Sequence, residues 1–548
     1  MLESRELIVR LLGDEMKAFF ICLYMLALPG LNVKVLAGSA KTRILTARGT
    51  VFNDLDRDGV MNSAEPGIEA VLVSNGLDIV QTKKDGSYEI ELGQTGTLFV
   101  IKPRGFMTAI GKNNLPHFYY LHSEKGGTSK IYSGLDPTGP LPERINFPLY
   151  PEPINEKFTV LLFGDSQTKT QTHVDYLSRD VIDELVGVEG VAFGVSLGDI
   201  VDDDLSLFGS VNQVIARIGV PWYNVIGNHD MNYDVPNDEQ ANQTFEANYG
   251  PSTYSFNYGK VHFIILDDIV YKGYNPTPSG YVGGFTHRQL KFIENDLKHV
   301  SKDTLVVLMM HIPLFLEDWS DQSFRVADRQ ALFDLLAPFP HTFSISAHTH
   351  IQRQVFFGEE DGWHGEEKHY HFNSGTACGS WWSGELDEFG LPHTTMRDGT
   401  PNGYAFLRFD GNQFVIDFKA ARRSEDFQMS VYAPRAVRSG EYPTGCLYVN
   451  FFMGNERTEV MSRIDFEREW KPMRKTRWMD PYMNLLTARY DTAQHALPGS
   501  RLSPPSYCYH LWMQTVPTNL PVGLHSVDIK VIDMWGREFN SSTSFRME

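Results

Sequence analysis

Polar residues that could bind metal ions follow a series of apolar runs in the middle of the chain. Asp165 ends the run FTVLLFGD, and Asp199 ends VAFGVSLGD. The other candidates follow later runs in the same way: Asn228, His229 and Asp230 in VIGNHD, His311 in LMMHIP, and His348 and His350 in SISAHTH. Carboxylate, amide and imidazole groups suit transition metals such as Mn, Fe or Zn. Open α/β sheets bind ligands beyond the carboxyl ends of their strands, so the pattern predicts one metal site at a sheet edge.

The set of donors is large enough for two cations, and a carboxylate at Asp199 could bridge them. A pair of cations a few ångströms apart can clamp a phosphoryl group. It also lowers the pKa of a shared water, which makes hydroxide available at neutral pH. The donors therefore favour a dinuclear site for phosphoryl chemistry. No Ser, Cys or His outside this set stands in a pattern typical of a covalent nucleophile.

These motifs resemble those of the calcineurin-like metallophosphoesterases, whose pattern is DxH, GDxxD, GNH(D/E), a lone His and GHxH. The resemblance implies that one metal is held by Asp165, Asp199 and His350. It implies that the second is held by Asp199, Asn228, His311 and His348. It also implies that His229 faces the leaving group and that Asp230 orients it, while Asp202 supports the site from behind. The wider chain resembles a bacterial secreted subgroup with β-domains on both sides of the enzyme domain.

The sequence departs from the family pattern at two positions. Gln167 stands where the family has a metal-binding His, and Ala347 replaces a Gly. An amide oxygen is a weaker and harder donor than imidazole, so the first metal is expected to bind more loosely or to be Mn or Mg. Alternatively, Gln167 points away and only bonds to a water or a neighbouring group.

A second motif precedes the metal motifs. Residues 54–65, DLDRDGVMNSAE, fit the pattern D-x-D-x-D-G-x5-E, with candidate ligands at Asp54, Asp56, Asp58 and Glu65. This spacing wraps oxygen atoms around Ca²⁺, with a glycine for the turn and a terminal Glu that binds through both oxygens. The flanking residues alternate as in strands, so the motif predicts a calcium loop of a β-domain. The alternative is a solvated acidic turn.

A glycine-rich stretch follows the last metal motif. Within and after it, Trp381, Trp382 and Arg397 are candidates for substrate binding. The indoles could stack on a sugar, base or lipid, and the guanidinium could hold a phosphate oxygen. Packing in the core is the alternative for one of the tryptophans. His364, His369 and His371 lie in the acidic stretch GEEDGWHGEEKHYH, which is interpreted as a solvated loop.

The elements around these residues predict a multidomain protein with a central α/β layered domain between two β-sandwich domains. The family resemblance implies that the central domain is a layered sandwich of the metallophosphoesterase type. Apolar runs alternate with amphipathic stretches over residues 151–424, which indicates strands and helices in layers. Short alternating runs over 41–150 and 425–548 predict the flanking N-terminal and C-terminal β-domains. The Pro-rich segment 134–157 is interpreted as a linker.

Residues 1–40 predict a secretory signal peptide, because Lys17 precedes the apolar run AFFICLYMLALPGLNV and the small residues LAGSA follow it. The protein is then secreted or periplasmic and keeps no stable membrane span. An uncleaved membrane anchor is the alternative. The four cysteines, Cys22, Cys378, Cys446 and Cys508, are too few for a disulfide scaffold.

The amino-acid composition further limits the classes of function that the sequence allows. Lys and Arg number 49 and Asp and Glu 68, which gives the 548 residues a net charge of −19 and no basic stripe for nucleic acid. The sequence predicts a secreted phosphoesterase that hydrolyses a phosphate mono- or diester by attack of metal-bound hydroxide. Its partner would be a small phosphorylated lipid, sugar or nucleotide, and its cofactors two divalent metals among Mn, Fe, Zn and Mg. The alternative is a non-catalytic binding protein that keeps the same fold.

Overall fold

The described part of the chain covers residues 45–273, 280–315, 323–440, 445–465 and 467–548 of a computed structural model. The predicted signal peptide at 1–40 lies outside these residues, as does Cys22. In the described part, no helix is both long and apolar enough to cross a membrane. The three described cysteines, 378, 446 and 508, form no disulfide.

The N-terminal region is a sandwich of two β-sheets. Its strands are β1 Leu45–Asn53, β2 Leu72–Ser74, β3 Ile79–Gln81, β4 Ser87–Leu92, β5 Thr95–Ile101, β6 Phe106–Ile110, β7 Pro116–His117, β8 Tyr119–Ser123 and β9 Phe147–Pro151. One sheet has the order β4-β1-β9-β6-β7 and the other β3-β2-β5-β8. Both sheets contribute side chains to one apolar core, among them Val51 and Val100.

Strand β5 joins this sandwich to the domain that follows. Because side chains alternate along a strand, Leu98 and Val100 enter the N-terminal core while Phe99 and Ile101 face the other way. The Phe99 ring lies 5.8 Å from the ring of Phe292, measured between centroids. The N-terminal core and the core of the following domain therefore pack against opposite faces of β5.

The Pro-rich segment 134–157 is not simply a linker. Residues Phe147–Pro151 form β9, which pairs in parallel with β1 and antiparallel with β6. Phe147 and Leu149 of this strand are buried and belong to the N-terminal core. The linker interpretation is wrong for this part of the segment.

The central region contains two large sheets, a two-stranded sheet and its own helices. The strands are β10 Lys157–Phe163, β11 Val191–Leu197, β12 Trp222–Val225, β13 Tyr254–Tyr258, β14 Val261–Ile265, β15 Ile269–Tyr271, β16 Tyr281–Gly283, β17 Leu305–Met309, β18 Thr342–Ser346, β19 Arg353–Phe357, β20 His369–Asn373, β21 Gly384–Glu385, β22 Gly403–Asp410 and β23 Gln413–Ala420. The helices are α1 Gln171–Leu177, α2 Phe208–Ile215, α3 Asp238–Ala241, α4 Gln243–Tyr249, α5 His287–Leu297 and α6 Val326–Leu336. A π-helical turn, Ser178–Ile182, extends α1.

The two large central sheets have the orders β12-β11-β10-β22-β23 and β13-β14-β17-β18-β20-β19, and the two-stranded sheet is β15-β16. Strands β10 to β12 run parallel, and so do β14, β17, β18 and β20. Aromatic rings join the sheets, as where the rings of Tyr223 and Phe256 stack at 4.2 Å between centroids. Burial on both faces requires continuous apolar strands, which is what the sequence shows.

The C-terminal region is again two sheets. Its elements are β24 Met429–Tyr432, β25 Ala436–Val437, β26 Cys446–Phe451, β27 Glu459–Ile464, β28 Lys471–Pro472, β29 Arg474–Met479, α7 Pro481–Asp491, β30 Gly499–Ser500, β31 Tyr507–Thr515, β32 Gly523–Ile532 and β33 Glu538–Met547. The sheets have the orders β24-β26-β31-β29 and β25-β33-β32-β27-β28. The predicted fold class, a central α/β domain with β-rich domains on both sides, is confirmed.

Two histidines that were predicted to lie in a solvated loop are buried. His369 and His371 belong to β20 and are buried, while His364 is exposed as expected. The Oγ of Ser344 lies 2.7 Å from Nε2 of His369 and 2.7 Å from Nδ1 of His371. Burial lowers the pKa of His369 to about 3, so the ring is neutral. The solvated-loop interpretation is wrong here, because the polar groups of neighbouring strands satisfy one another in the core.

This polar ladder runs toward the last metal motif. The Oγ of Ser346 lies 2.9 Å from Nε2 of His371 and donates to Oδ1 of Asn373 at 2.9 Å. The amide nitrogen of Asn373 donates to Oγ1 of Thr349 and to the carbonyl of Ile351. The ladder therefore fixes the loop that carries His348 and His350.

We predict that Ser344→Ala destabilises the protein by roughly 2–4 kcal/mol, because it leaves two buried imidazole nitrogens without a partner. The shift of the urea midpoint measures this. Ser255→Ala is the matched control, since Ser255 is equally buried but its Oγ has no hydrogen-bond partner. Equal midpoints for the two variants would contradict the role of the ladder.

Candidate metal centre

The predicted ligands meet where the strands of the two central sheets end. Asp165, Asp199 and Asn228 follow β10, β11 and β12, while His311 and the pair His348 and His350 follow β17 and β18. Their atoms approach one another closely, as expected for carboxyl ends of parallel strands. The backbone N–H of Gln167 donates to the carbonyl of Asp199 at 2.8 Å, which brings Gln167 to the same edge.

Around His311 the contacts bring together carboxylate, amide and imidazole atoms of the candidate metal ligands. Its Nδ1 donates to the carbonyl of Leu197 at 2.8 Å, so Nε2 faces the centre. That Nε2 lies 3.1 Å from Oδ1 of Asn228, 3.2 Å from Oδ2 of Asp199 and 3.1 Å from Nδ1 of His348. The ligand atoms of Asp199, His311 and His348 all lie within 4.8 Å of one another.

Asp165, Gln167 and His350 form a second group of candidate ligands beside the first. Nε2 of His350 lies 3.2 Å from Oδ2 of Asp165, while its Nδ1 donates to the carbonyl of Gly379 at 2.7 Å. Holding one ring nitrogen in this way fixes the other toward a metal. Oδ2 of Asp165 and Oε1 of Gln167 are both buried and have no hydrogen-bond partner. Buried polar atoms are nearly always paired, so these two oxygens fit a cation.

The electrostatics are those of a desolvated cluster of carboxylates and imidazoles. Burial alone would lower the pKa of His311, but the charge of Asp199 raises it to about 10. Burial raises the pKa of Asp165 to about 7. Burial also acts to raise the pKa of Asp199, but neighbouring imidazoles outweigh it and lower that pKa. Burial lowers the pKa of His348 to about 3 and of His350 to about 4, so both rings offer a lone pair.

The backbone at the centre is unusual for residues with side chains. Asp165, Gln167, Asp199, His348 and His350 all have positive φ, between 24° and 72°. Such conformations cost free energy and concentrate at functional sites. Close packing adds to this constraint: a Cβ on the glycine before Asn228 would lie 2.0 Å from the backbone nitrogen of Asp199.

His229 lies beside this cluster with its own carboxylates. Its Nδ1 is 2.8 Å from Oδ1 of Asp203 and 3.3 Å from Oδ1 of Asp202. Burial alone would lower the pKa of His229, but the charge of Asp199 and the bond to Asp203 raise it to about 9. The ring is therefore protonated at neutral pH and is only partly exposed.

The expectation that Asp230 orients His229 is wrong. The Asp230 carboxylate is completely buried and accepts backbone N–H groups, those of Ile200, Val201 and Gly227. It therefore fixes the loop after β11, and Asp203 holds the imidazole. Sequence reasoning missed Asp203, because only the fold of this loop shows which of three successive aspartates turns toward the ring.

The predicted substrate-binding tryptophans differ in position. Trp381 is 36% exposed, and its ring stacks on that of His350 with centroids 3.8 Å apart. Trp382 is buried, and its Nε1 donates to the carbonyl of Ser166 at 2.8 Å. The predicted substrate contact is wrong for Trp382, which instead supports the loop between Asp165 and Gln167.

Residues of the C-terminal region hold the loop around Arg397 and Asp398 beside the centre, which the sequence did not predict. Arg397 is half-buried, and its backbone N–H donates to the carbonyl of His350 at 3.2 Å. Its neighbour Asp398 accepts from Nε2 of His510 at 3.0 Å, and Ser506 donates its N–H to the carbonyl of Arg397. No local motif marks His510, because its role depends on how β31 packs against the loop.

The predicted calcium loop follows β1 and is not flanked by helices. Oxygens of Asp54, Asp56 and Glu65 lie within 4.8 Å of one another. Oδ1 of Asp54 is buried without a hydrogen-bond partner. The two oxygens of Glu65 accept backbone N–H groups, from Leu55 at 3.0 Å and Asn62 at 2.8 Å. Asp58 instead caps the turn, accepting from the N–H of Val60 at 2.7 Å.

Three family models match the chain in succession. Residues 55–135 match the N-terminal domain of calcineurin-like phosphoesterases, 158–352 the calcineurin-like phosphoesterase domain, and 371–539 the C-terminal domain. The chain belongs to the calcineurin-like phosphoesterases, in the arrangement with both flanking domains, and is a phosphoric ester hydrolase. The family resemblance and enzyme class expected from the motifs are confirmed. No curated protein matches the sequence at a significant level.

Solved structures resemble the chain only distantly. A dimetal phosphatase from Danio rerio is 14% identical over 48% of this chain and 97% of its own, with a TM-score of 0.34. A purple acid phosphatase from yellow lupin seeds is 13% identical over 69% and 67%, with a TM-score of 0.35. A cold-active protein-tyrosine phosphatase from a psychrophilic Shewanella species is 12% identical over 59% and 95%, with a TM-score of 0.21. Likenesses this weak say nothing of what the chain binds or hydrolyses.

We predict that Asp203→Asn moves the alkaline limb of the pH–activity profile to lower pH. The carboxylate stabilises the imidazolium of His229, so its removal lets the proton leave at lower pH. Profiles of kcat/KM against pH measure the shift. Asp183→Asn is the control, since that carboxylate pairs with Arg217 at the surface. An unchanged alkaline limb in Asp203→Asn would contradict the assignment.

We predict that Gln167→Ala lowers the metal content of the purified protein and raises the Mn²⁺ concentration needed for half-maximal activity. Gln167→His should tighten the site and shift its preference toward Zn²⁺, because imidazole is the stronger nitrogen donor. Elemental analysis and Mn²⁺ titrations measure both effects. If Gln167→Ala kept the native metal content and Mn²⁺ curve, Gln167 would not be a ligand.

Proposed function

We propose that this protein is a dinuclear metal-dependent phosphoesterase in which Asp165, Gln167, Asp199 and His350 hold one divalent cation. Asn228, His311 and His348, together with Asp199, hold the second. The observation that carries the proposal is the set of buried carboxylate, amide and imidazole groups that approach one another to 3.1–3.2 Å around Asp199 and Asp165. Two orphaned oxygens belong to the same set. Such a cluster needs positive charge to be stable.

The chain's own residues would complete the reaction. Bound cations would supply a nucleophile from water near neutral pH and neutralise phosphoryl oxygens. His229, held protonated by Asp203, would donate its Nε2 proton to the departing alkoxide. Arg397 and Trp381 lie at the other side of the centre, where a guanidinium and an indole face could hold the ester.

The net charge and the apolar stretch near the N-terminus support a substrate class and a location. The net charge of −19 supports a small phosphorylated substrate rather than nucleic acid. The apolar stretch within residues 1–40 supports export to the periplasm or the medium. We therefore infer that the substrate is a soluble or lipid-derived phosphate ester met outside the cytoplasm, hydrolysed as a mono- or diester.

We also propose that the loop 54–65 binds Ca²⁺. The unpartnered, buried Oδ1 of Asp54 supports this, since it lies with oxygens of Asp56 and Glu65 in one cluster. A solvated turn would leave such an oxygen to water. The loop lies in the N-terminal sandwich and follows β1, so the cation would stabilise that domain rather than take part in hydrolysis.

We predict that Asp199→Asn lowers hydrolysis of bis-p-nitrophenyl phosphate or p-nitrophenyl phosphate by about a thousandfold or more, because several kcal/mol of charge stabilisation is lost. Metal content should fall at both positions, since one carboxylate serves two cations. The exposed variant Asp175→Asn is the control. Native activity in Asp199→Asn, or no hydrolysis of any ester by the metal-loaded native protein, would overturn the proposal.

We predict that Glu65→Gln reduces the rise in melting temperature produced by Ca²⁺ and leaves kcat and KM unchanged. A weaker site gains less from mass action, which is worth about 2.7 kcal/mol at a hundredfold excess over Kd. Differential scanning calorimetry with Ca²⁺ and with chelator measures this, with exposed Glu69→Gln as the matched control. A native melting temperature indifferent to Ca²⁺ would remove the claim.

A further inference from the structure

A cavity of about 560 Å³ opens beside His229, on the leaving-group side of the proposed reaction. Its described lining consists of Ile131, Tyr132, Asp203, Asn228, His229, Met231, Tyr233, Asp234 and Tyr281. Most of these residues belong to the loops that follow the metal-bearing strands. Ile131 and Tyr132 do not, because they come from the N-terminal region, between β8 and β9.

The N-terminal segment that forms this wall is fastened to the enzyme domain. The carboxylate of Asp234 accepts from Oγ of Ser129 at 2.8 Å and from the N–H of Lys130 at 2.6 Å and of Ile131 at 3.2 Å. The hydroxyl of Tyr132 donates to the carbonyl of Asp203 at 3.1 Å. The segment therefore contacts the same loop that holds His229.

The chemistry of the walls limits what the cavity accepts. The rings of Tyr132, Tyr233 and Tyr281 and the 69% exposed side chain of Ile131 offer apolar and aromatic surface. Among the described lining residues there is no Lys or Arg, and Asp203 and Asp234 add negative charge. A further phosphate or carboxylate on the leaving group would find no lysine or arginine among these residues, and His229 is already paired with Asp203. An aromatic body would find rings to stack on.

We propose that the segment Ser129–Tyr132 makes this cavity the leaving-group subsite, which selects phosphate esters of alcohols with an aromatic or apolar body and no negative charge. The proposal rests on the phosphoesterase function proposed above. It assigns a part of substrate recognition to the N-terminal β-domain. It also predicts that nucleoside di- and triphosphates are poor substrates when the anionic part must leave.

The test compares three phenyl esters with similar leaving groups: phenyl, 4-carboxyphenyl and 4-(trimethylammoniomethyl)phenyl, as phosphomonoesters or methyl phosphodiesters. The Mn²⁺-loaded full-length protein should hydrolyse the carboxylate ester with a kcat/KM roughly tenfold or more below that of the phenyl ester. The ammonium ester should be hydrolysed at least as well as the phenyl ester. Equal values for all three would overturn the proposal.

Two variants connect the selectivity to the N-terminal wall. Ile131→Lys places a cation in the cavity and should raise the ratio of carboxyphenyl to phenyl hydrolysis about threefold or more. Ile154→Lys is the matched control, since Ile154 is a 53% exposed isoleucine outside the cavity and should leave the ratio unchanged. Tyr132→Ala should raise KM for the phenyl ester about three- to tenfold with native metal content.

The outcomes separate this proposal from the function it rests on. Failure of the metal-loaded native protein to hydrolyse any of the esters would overturn the phosphoesterase function itself. Hydrolysis with an unchanged charge ratio in Ile131→Lys, or an equal change in Ile154→Lys, would overturn the subsite alone. Circular dichroism and metal content of each variant distinguish a changed subsite from a damaged fold.

Discussion

The structure depends on the burial of carboxylate, amide and imidazole groups that lie against one another at the proposed metal centre. Around Asp199, carboxylate, amide and imidazole lone pairs converge within hydrogen-bonding distance of one another. The loss of hydration makes this arrangement costly, and positive charge from protons or from bound cations offsets the cost. The apolar strands are needed because they bring these groups to one edge and keep water out.

Backbone and flanking domains hold the acceptors in place before any cation binds. Left-handed conformations at Asp165 and His350 aim their side chains inward at a cost of about 1–3 kcal/mol each. That strain persists because neighbours fix it: the ladder through Asn373 holds one side of the His350 loop, and Asp398 with His510 holds the other. The C-terminal sandwich is therefore part of the support of the metal centre rather than an appended module.

Sequence alone predicted the strands and the ends that carry chemistry, because buried parallel strands are apolar throughout and break at a polar residue. It could not predict which residue forms the hydrogen bond to each polar side chain. Asp230 was expected to hold His229, yet Asp203 does so, since one loop turn decides which carboxylate reaches the ring. His371 was expected to be exposed to solvent, because its neighbours in the sequence are acidic. Its partners Ser344 and Ser346 lie on another strand, and only the pairing of β18 with β20 shows the match.

The groups proposed for catalysis and those proposed for substrate selection are held by different parts of the fold. Strand ends fix the proposed metal ligands, so their spacing can be recognised in the sequence. The cavity beside His229 is instead walled by loops, one of which comes from another domain and is fastened by backbone N–H groups to Asp234. Backbone donors are independent of side-chain identity, so Ile131 can change without loosening the segment. A wall attached in this way can alter the accepted ester while the metal centre remains intact.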